Sequence, residues 1–499
     1  MVVWCLLVCA LALVAGCSDP TQLPDAEAQR IARVFEQGLK APEPVLRADT
    51  VRVVGMAASP KMLPLLQMAV KDKHPVVRAS AAVHLFPYQP DTTRDFFQQV
   101  FAGDEKEVAG LIAREAFSAN TIGSLEDSMV GFALRSPTPE VRRRALEFGL
   151  IKRMELIKDK ARLDRELLPL LSNAVDDELP QLAGKALRAM LDHGRRDRLE
   201  EIVHEAKRGG ALGDRRRAIR ILTYTRDEGL KDELESVVAS NEGSLKVDAE
   251  VALVAIGQAR DLSTLRDALA GADEQTTLAI LYALGHAPER DALRIIRPYR
   301  ADSRVAVRLA AYKALANHPS ADVVDFKRGL TDKDAEVAIA AVRGMVTSNP
   351  TAMSGSLREV LKNPRNAGRG LQVLISAAHR MEIDGDTDLL ARLETQLKNL
   401  DEEILALVAS EDPTARAAAA GLLFRREDPL AFYNTIEDPS VEATYALLES
   451  LARSPNPEAP LANLELFARY NNAELLSLRI ISALGTWRAY AMFQQLQVQ

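Results

Sequence analysis

After residue 17 the chain contains no cysteine: Cys5, Cys9 and Cys17 are the only three. An intrachain disulfide or a thiolate metal centre is thereby excluded from everything downstream. Aromatic residues are scarce as well, at 5%. A sheet core draws on β-branched and aromatic side chains, so this scarcity, beside abundant Ala and Leu, points to closely packed helices. Acidic residues are in small excess over basic ones, a net of −7, which gives no reason to expect nucleic acid as a partner. The uncharged apolar stretch at 2–15, VVWCLLVCALALVA, has fourteen residues, short of the ~20 that a membrane-spanning helix needs.

What is present is a long, foldable chain. Its 499 residues are 47% apolar and 27% charged. That length exceeds what one compact core normally serves, so several domains or an elongated repeat is expected. The stretch at 2–15 suits the apolar region of a signal peptide, although no Lys or Arg precedes it. It closes on Leu13-Val14-Ala15-Gly16-Cys17, after which the sequence turns polar. These five residues resemble the bacterial lipobox. The resemblance implies a signal peptide over 1–16, a diacylated Cys17, and a short tether over 17–25 that reaches roughly 25 Å at ~3.3 Å per residue. A palmitate-type anchor of this kind places the body at the cell envelope, and Ser18 after the cysteine favours a periplasm-facing outer-membrane site.

Self-similarity dominates the rest. DKHPVVRASAAVHL at 72–85 returns as PEVRRRALEFGL at 139–150, SRVAVRLAAYKAL at 303–315 and DAEVAIAAVRGM at 334–345. The place of Arg78 is taken further on by Arg217, Asp248, Leu278, Arg308, Ala338 and Arg369, which follow one another in steps of 30 or 31 residues. In each copy apolar and small residues fall at i, i+3, i+4 and i+7, the buried stripe of a helix. A shorter apolar segment precedes each one, such as 62–70 entered through Ser59-Pro60. Every unit is therefore a helical hairpin that becomes buried only when its neighbours stack on it.

The D-x-x-P-x-V-R-x-x-A-A-x-x-L pattern resembles HEAT repeats, in particular the ~30-residue type of phycobilisome lyases. The resemblance implies an all-α, right-handed α-solenoid of about 13–14 hairpins over 26–499. It also implies structural roles. Asp72, Asp302, Asp332, Asp412 and Asp438 are expected to cap the second helices. Arg78, Arg142, Arg217, Arg308 and Arg416 are expected to pair with an aspartate of a neighbouring repeat, forming a ladder. Asp248, Leu278 and Ala338 break that pattern, so the ladder is expected to lapse in the middle.

Candidate chemistry is thin. The seven histidines are spread over different units, only His74 and His84 sharing one, with no HExxH or His-x-His spacing, so no metal site and no cofactor is expected. Asp384-Gly385-Asp386-Thr387-Asp388 imitates the start of a calcium loop, but Leu389 and Thr395 stand where that loop needs Gly and Glu. Capping of the following helix explains these aspartates better. Two Gly-Arg stretches, at 207–217 and 363–370, read as inter-helix turns.

Charge is placed unevenly. Residues 142–226 carry 21 basic and 14 acidic side chains, a net of +7, whereas 384–449 carry 5 basic and 15 acidic, a net of −10. The expectation is a non-catalytic scaffold that binds a protein or peptide along its groove. Arg142, Arg143, Arg144, Arg195, Arg196, Arg215, Arg216 and Arg217 are the candidate contacts. The other readings are a HEAT-like enzyme of the lyase type and a structural spacer in an envelope assembly.

Overall fold

The computed structural model describes residues 63–423 apart from short stretches within that range, together with isolated positions at 36–54 and 433–436. Cys17, the segments 1–16 and 17–25, Ser59-Pro60 and Asp438 lie outside the described residues. Among the described residues every regular element is a helix and none is a strand. The fold is the all-α solenoid of stacked hairpins that the repeats imply. No helix among these residues is long and apolar enough to cross a membrane.

Contacts group the described residues into two compact units, one ending at Arg94 and one beginning at Asp95. In the first, helices Leu63–Ala69 and Pro75–Leu85 form a hairpin. Leu65, Leu66, Val77, Ala81 and Leu85 share its core with Val51 and Val54. Pro75 opens its helix where a missing N–H costs nothing, and His74 caps it by accepting from the Val76 N–H at 3.3 Å.

In the second unit the second helices of successive hairpins are α1 (Pro139–Arg144), α2 (Pro180–Asp192), α3 (Leu212–Thr225), α4 (Gly243–Ala255), α5 (Glu274–Gly285), α6 (Val305–Asn317), α7 (Ala335–Ser348) and α8 (Pro364–Asp384). From α2 to α8 each packs on the next, and its partner helix covers the other side. α1 runs on without a break into a π-helix, Ala145–Lys152. Small residues set the spacing. A Cβ on Gly285 of α5 would stand 2.7 Å from the Ala314 Cα of α6, so these two helices approach to backbone contact.

Arginine–aspartate pairs between turns follow a repeating atomic plan. Arg47 reaches Asp72 (Nε to Oδ2, 2.8 Å), Arg142 reaches Asp177 (2.7 Å) and Arg308 reaches Asp332 (2.8 Å). Each acceptor also takes the N–H two residues on, at His74, Leu179 and Asp334. The arginine's remaining nitrogen binds the carbonyl six residues back, as Arg78 binds that of Asp72, Arg142 that of Ser136 and Arg308 that of Asp302. The aspartate therefore closes an Asx turn ahead of the cap position and does not itself cap the helix.

Four details differ from expectation. Ser136 and Ser410 hold Asp72's place in their repeats, their hydroxyls accepting from Thr138 and Asp412. Asp412 then stands at the cap position and, as expected of it, caps the helix by accepting from the Thr414 N–H at 3.0 Å, while Arg416 binds the carbonyls of Ser410 and Glu411. Arg217 points back to the main-chain carbonyl of Asp177, at 2.8 Å, not to a carboxylate. At Asp248 the rung has not lapsed but reversed: this carboxylate, 3% exposed, receives Arg216 (2.7 Å) and Arg220 (3.4 Å) of the preceding repeat. Where Leu278 supplies no arginine, Asp302 takes Arg304 of its own turn at 2.9 Å.

Truncating one partner of a buried pair strands the other charge. Arg142→Ala is expected to lower unfolding free energy by about 3 kcal/mol, read as a shifted urea midpoint with unchanged slope. An effect no larger than that of an exposed pair such as Arg94–Asp91 would remove the rung from the account.

Candidate functional site

The face presented by the second helices carries two linked features. The first is a seam of charge that joins α1 to the end of α8. Arg144 is 1% exposed, lies over the Phe148 ring (4.1 Å to the centroid), and donates to Asp384 at 2.9 Å, 240 residues further along. Burial pushes its pKa down and Asp384 opposes that shift. Arg343 of α7 bridges Asp384 (3.3 Å) and Asp386. Lys152 donates to the Asp384 carbonyl, faces Asp386 at 3.9 Å and lies over the Phe148 ring at 5.1 Å from its centroid. The acidic stretch that imitates a calcium loop is thus an acceptor for three cations. Asp386 precedes helix Thr387–Lys398 without a side-chain hydrogen bond to it, which corrects the capping explanation.

Beside this lies a second band. Arg143 pairs with Glu140 (2.7 Å) and Glu147 (2.6 Å), and Lys185 of α2 also holds Glu147. Burial would raise the Glu147 carboxyl, but Lys185 and Arg143 outweigh it and bring its pKa to about 2. Lys313 of α6 keeps an exposed surface. Dehydration by the surrounding protein, with the fields of Arg143 and Lys185, lowers its pKa to about 8.

These bands account for much of the basic block. Arg142 and Arg144 are buried with intramolecular carboxylates, and Arg143 is held by two. Arg215 binds the Ala206 carbonyl, Arg216 holds Asp248 and Arg217 the Asp177 carbonyl. Arg195 and Arg196 are exposed beside Asp197 and Asp227. The structure does not bring the eight arginines together on one surface.

The second feature is a cavity of about 640 Å³ on the same face, lined by Ile151, four residues of α2, and residues near the ends of α3 and α5. Lys185, Arg188 and Asp192 come from α2 at i, i+3 and i+7, one side of that helix. Tyr224 and Tyr282 pack with ring centroids 4.5 Å apart and planes tilted by 46°, although α4 separates their helices in sequence. His286 closes the row edge-on to Tyr282, at 4.8 Å. Gly184 of α2 makes this possible, since a Cβ there would meet the Tyr224 Cβ at 2.5 Å. Arg188 donates to the carbonyls of Thr225 and Arg226, at 3.4 and 3.3 Å. Burial raises the pKa of both tyrosines. Burial, then the charge of Arg226, lowers His286 to about 4, so at neutral pH the row is an uncharged platform. Sequence reasoning did not find this row. A faint signal was available, because Ile151 and Arg226 each stand nine residues after the ladder position of their repeat, Arg142 and Arg217.

No family model and no curated protein sequence matches the chain. Among solved structures it is similar to importin beta crystallised in an ammonium sulfate condition, with 13% identity over 94% of this chain and 79% of that one, at a TM-score of 0.27. It is also similar to a Kap95:Nup1 complex (13% identity, 94% and 74% covered, TM-score 0.29). A third is karyopherin Kap121p bound to the extreme C-terminus of the protein phosphatase Cdc14p (11% identity, 96% and 67% covered, TM-score 0.30). Likeness at this level carries no argument about what the chain binds.

Two outcomes follow from the seam. Asp384→Ala leaves Arg144 buried without its carboxylate and is expected to cost about 3 kcal/mol, whereas the double variant Arg144→Leu/Asp384→Leu recovers most of that in a melting experiment. A carboxylate with a depressed pKa contributes stability that is full above its unfolded value and disappears as pH falls through its folded one. For Glu147 that window runs from its ordinary 4.5 down to about 2. Glu147→Gln should flatten the stability–pH curve there, and an unchanged acid limb would contradict the assignment.

Proposed function

We propose that this protein is a membrane-anchored, non-catalytic scaffold that holds a protein or peptide partner on the face of its second helices, in the extracytoplasmic space of a bacterial envelope. The observation that carries the binding part is the cavity at Tyr224, Tyr282 and Arg226. It combines a preformed aromatic floor with an accessible cation, and its volume is in the range of ligand sites. The anchoring part rests on Leu13-Val14-Ala15-Gly16-Cys17 and on the two or more acyl chains that stable attachment needs.

The chemistry of the lining supports binding over catalysis. An effective acid–base group titrates near working pH. Here His286 is driven down to about 4, and burial raises both tyrosines. Neither is poised to exchange a proton at neutrality. The eight-arginine surface is replaced in this proposal, since Arg142, Arg144, Arg216 and Arg217 are committed inside the fold.

Mass spectrometry of the membrane fraction is expected to find a mature chain that begins at an acylated Cys17. Full-length chain with Cys17 unmodified in the soluble fraction would overturn the localisation. From the same fraction, a partner should co-purify in fixed ratio and be released by Tyr282→Glu with helicity unchanged. A chain that elutes alone at every ionic strength would overturn the scaffold.

A further inference from the structure

The backbone at the cavity rim is unusual. Arg226 ends α3 in the left-handed conformation, at φ 53° and ψ 37°, the only non-glycine with positive φ among the described residues. The same turn after α2, α4 and α8 is made by Gly194, Gly257 and Gly385. A side chain in this region costs about 1 kcal/mol that glycine avoids. Arg226 is exposed, so packing does not explain its presence, and its guanidinium has no carboxylate within ion-pairing distance.

The other cations of the lining are paired. Lys185 is held by Glu147, and Arg188 by Asp192 at 3.1 Å. Glu228 also lines the cavity. The charged side chains that act on Tyr224, Tyr282 and His286 are Arg220, Arg188 and Arg226, without one carboxylate. The lining thus sets Lys185, Arg188 and Arg226 against Asp192 and Glu228, and Arg226, the cation among them without a carboxylate, is held there at the expense of backbone strain.

We infer that the cavity takes an acidic peptide segment, which lays an aromatic or aliphatic side chain on Tyr224 and Tyr282 and sets a carboxylate against Arg226. The chemistry is charge complementarity beside an apolar contact. A basic segment would face Arg188 and Arg226, and an uncharged one would leave Arg226 unused. This deepens the scaffold reading and rests on it.

The test uses the full-length chain and a fluorescein-labelled peptide of alternating Glu and Phe, with a twin carrying Lys for Glu, read by fluorescence anisotropy. The acidic peptide is expected to bind more weakly as ionic strength rises, and the twin not at all. Arg226→Gly should weaken binding about tenfold, the loss of one charge-assisted hydrogen bond, while the protein melts at the same temperature or higher because the strain is relieved. This variant separates recognition from folding. Equal affinity for the twin, or unchanged affinity in Arg226→Gly, would overturn the inference. So would capture of polygalacturonate in place of the peptide, with loss in Arg226→Gly, which would assign the site to an anionic polysaccharide. If the acidic peptide fails while the co-purifying partner is still released by Tyr282→Glu, the acidic class is wrong and the scaffold stands. If neither binds, both fall.

Discussion

A guanidinium taken out of water must be met by a carboxylate or by carbonyl oxygens, and this requirement recurs at every level of the protein. Each hairpin buries one stripe of small and apolar residues, but its turns carry unpaired backbone groups to be satisfied between repeats. One arginine does both jobs at a rung. One nitrogen takes the carbonyl of its own turn while the others take the next repeat's aspartate, which in turn holds an N–H of that repeat. Adjacent turns are thereby tied in register by side chains whose loss leaves a buried charge, a larger penalty than losing an exposed pair. Asp248 shows that the rule concerns neutralisation and not residue identity. When the ladder position carries the acid, the arginines come from the preceding repeat instead.

The same requirement explains why Arg142, Arg143 and Arg144 are engaged within the fold. Arg144 is buried against Phe148, and its carboxylate comes from the end of α8. Arg143, Lys185 and Glu147 neutralise one another beside it. Once these pairs are formed, the seam contributes closure of the fold and little outward charge. Further along the face, Arg188, Arg220 and Arg226 act on rings that carry no charge of their own.

The period was legible because it is written in local sequence, every 30 or 31 residues, and so were the hairpins and the rungs at Asp72, Arg142 and Arg308. Serine in place of aspartate at 136 and 410 was harder to see, since a hydroxyl accepts the same N–H without looking like a conserved acid in the motif. The reversed rung at Asp248 reads as a defect until Arg216 and Arg220 are seen to converge on it. Arg144 and Asp384, or Tyr224 and Tyr282, cannot be paired from sequence at all. Their proximity depends on how the hairpins accumulate rotation, a small quantity per repeat that no single residue encodes.

The left-handed turn at Arg226 is where local and global requirements disagree. Three second helices end this turn on glycine, the residue that adopts it without strain. The helix that ends at the cavity does not, so local preference was overridden at a cation of the lining that has no carboxylate. A structural reason for the arginine would be a rung, a buried partner or a packed stem, and each is realised elsewhere in this chain, at Arg142, Arg144 and Arg308. Arg226 has none of them. Its strain is stabilised by the surrounding repeats, through the Arg188 bonds to the carbonyls of Thr225 and Arg226, which pin the turn and leave the guanidinium exposed beside the aromatic row.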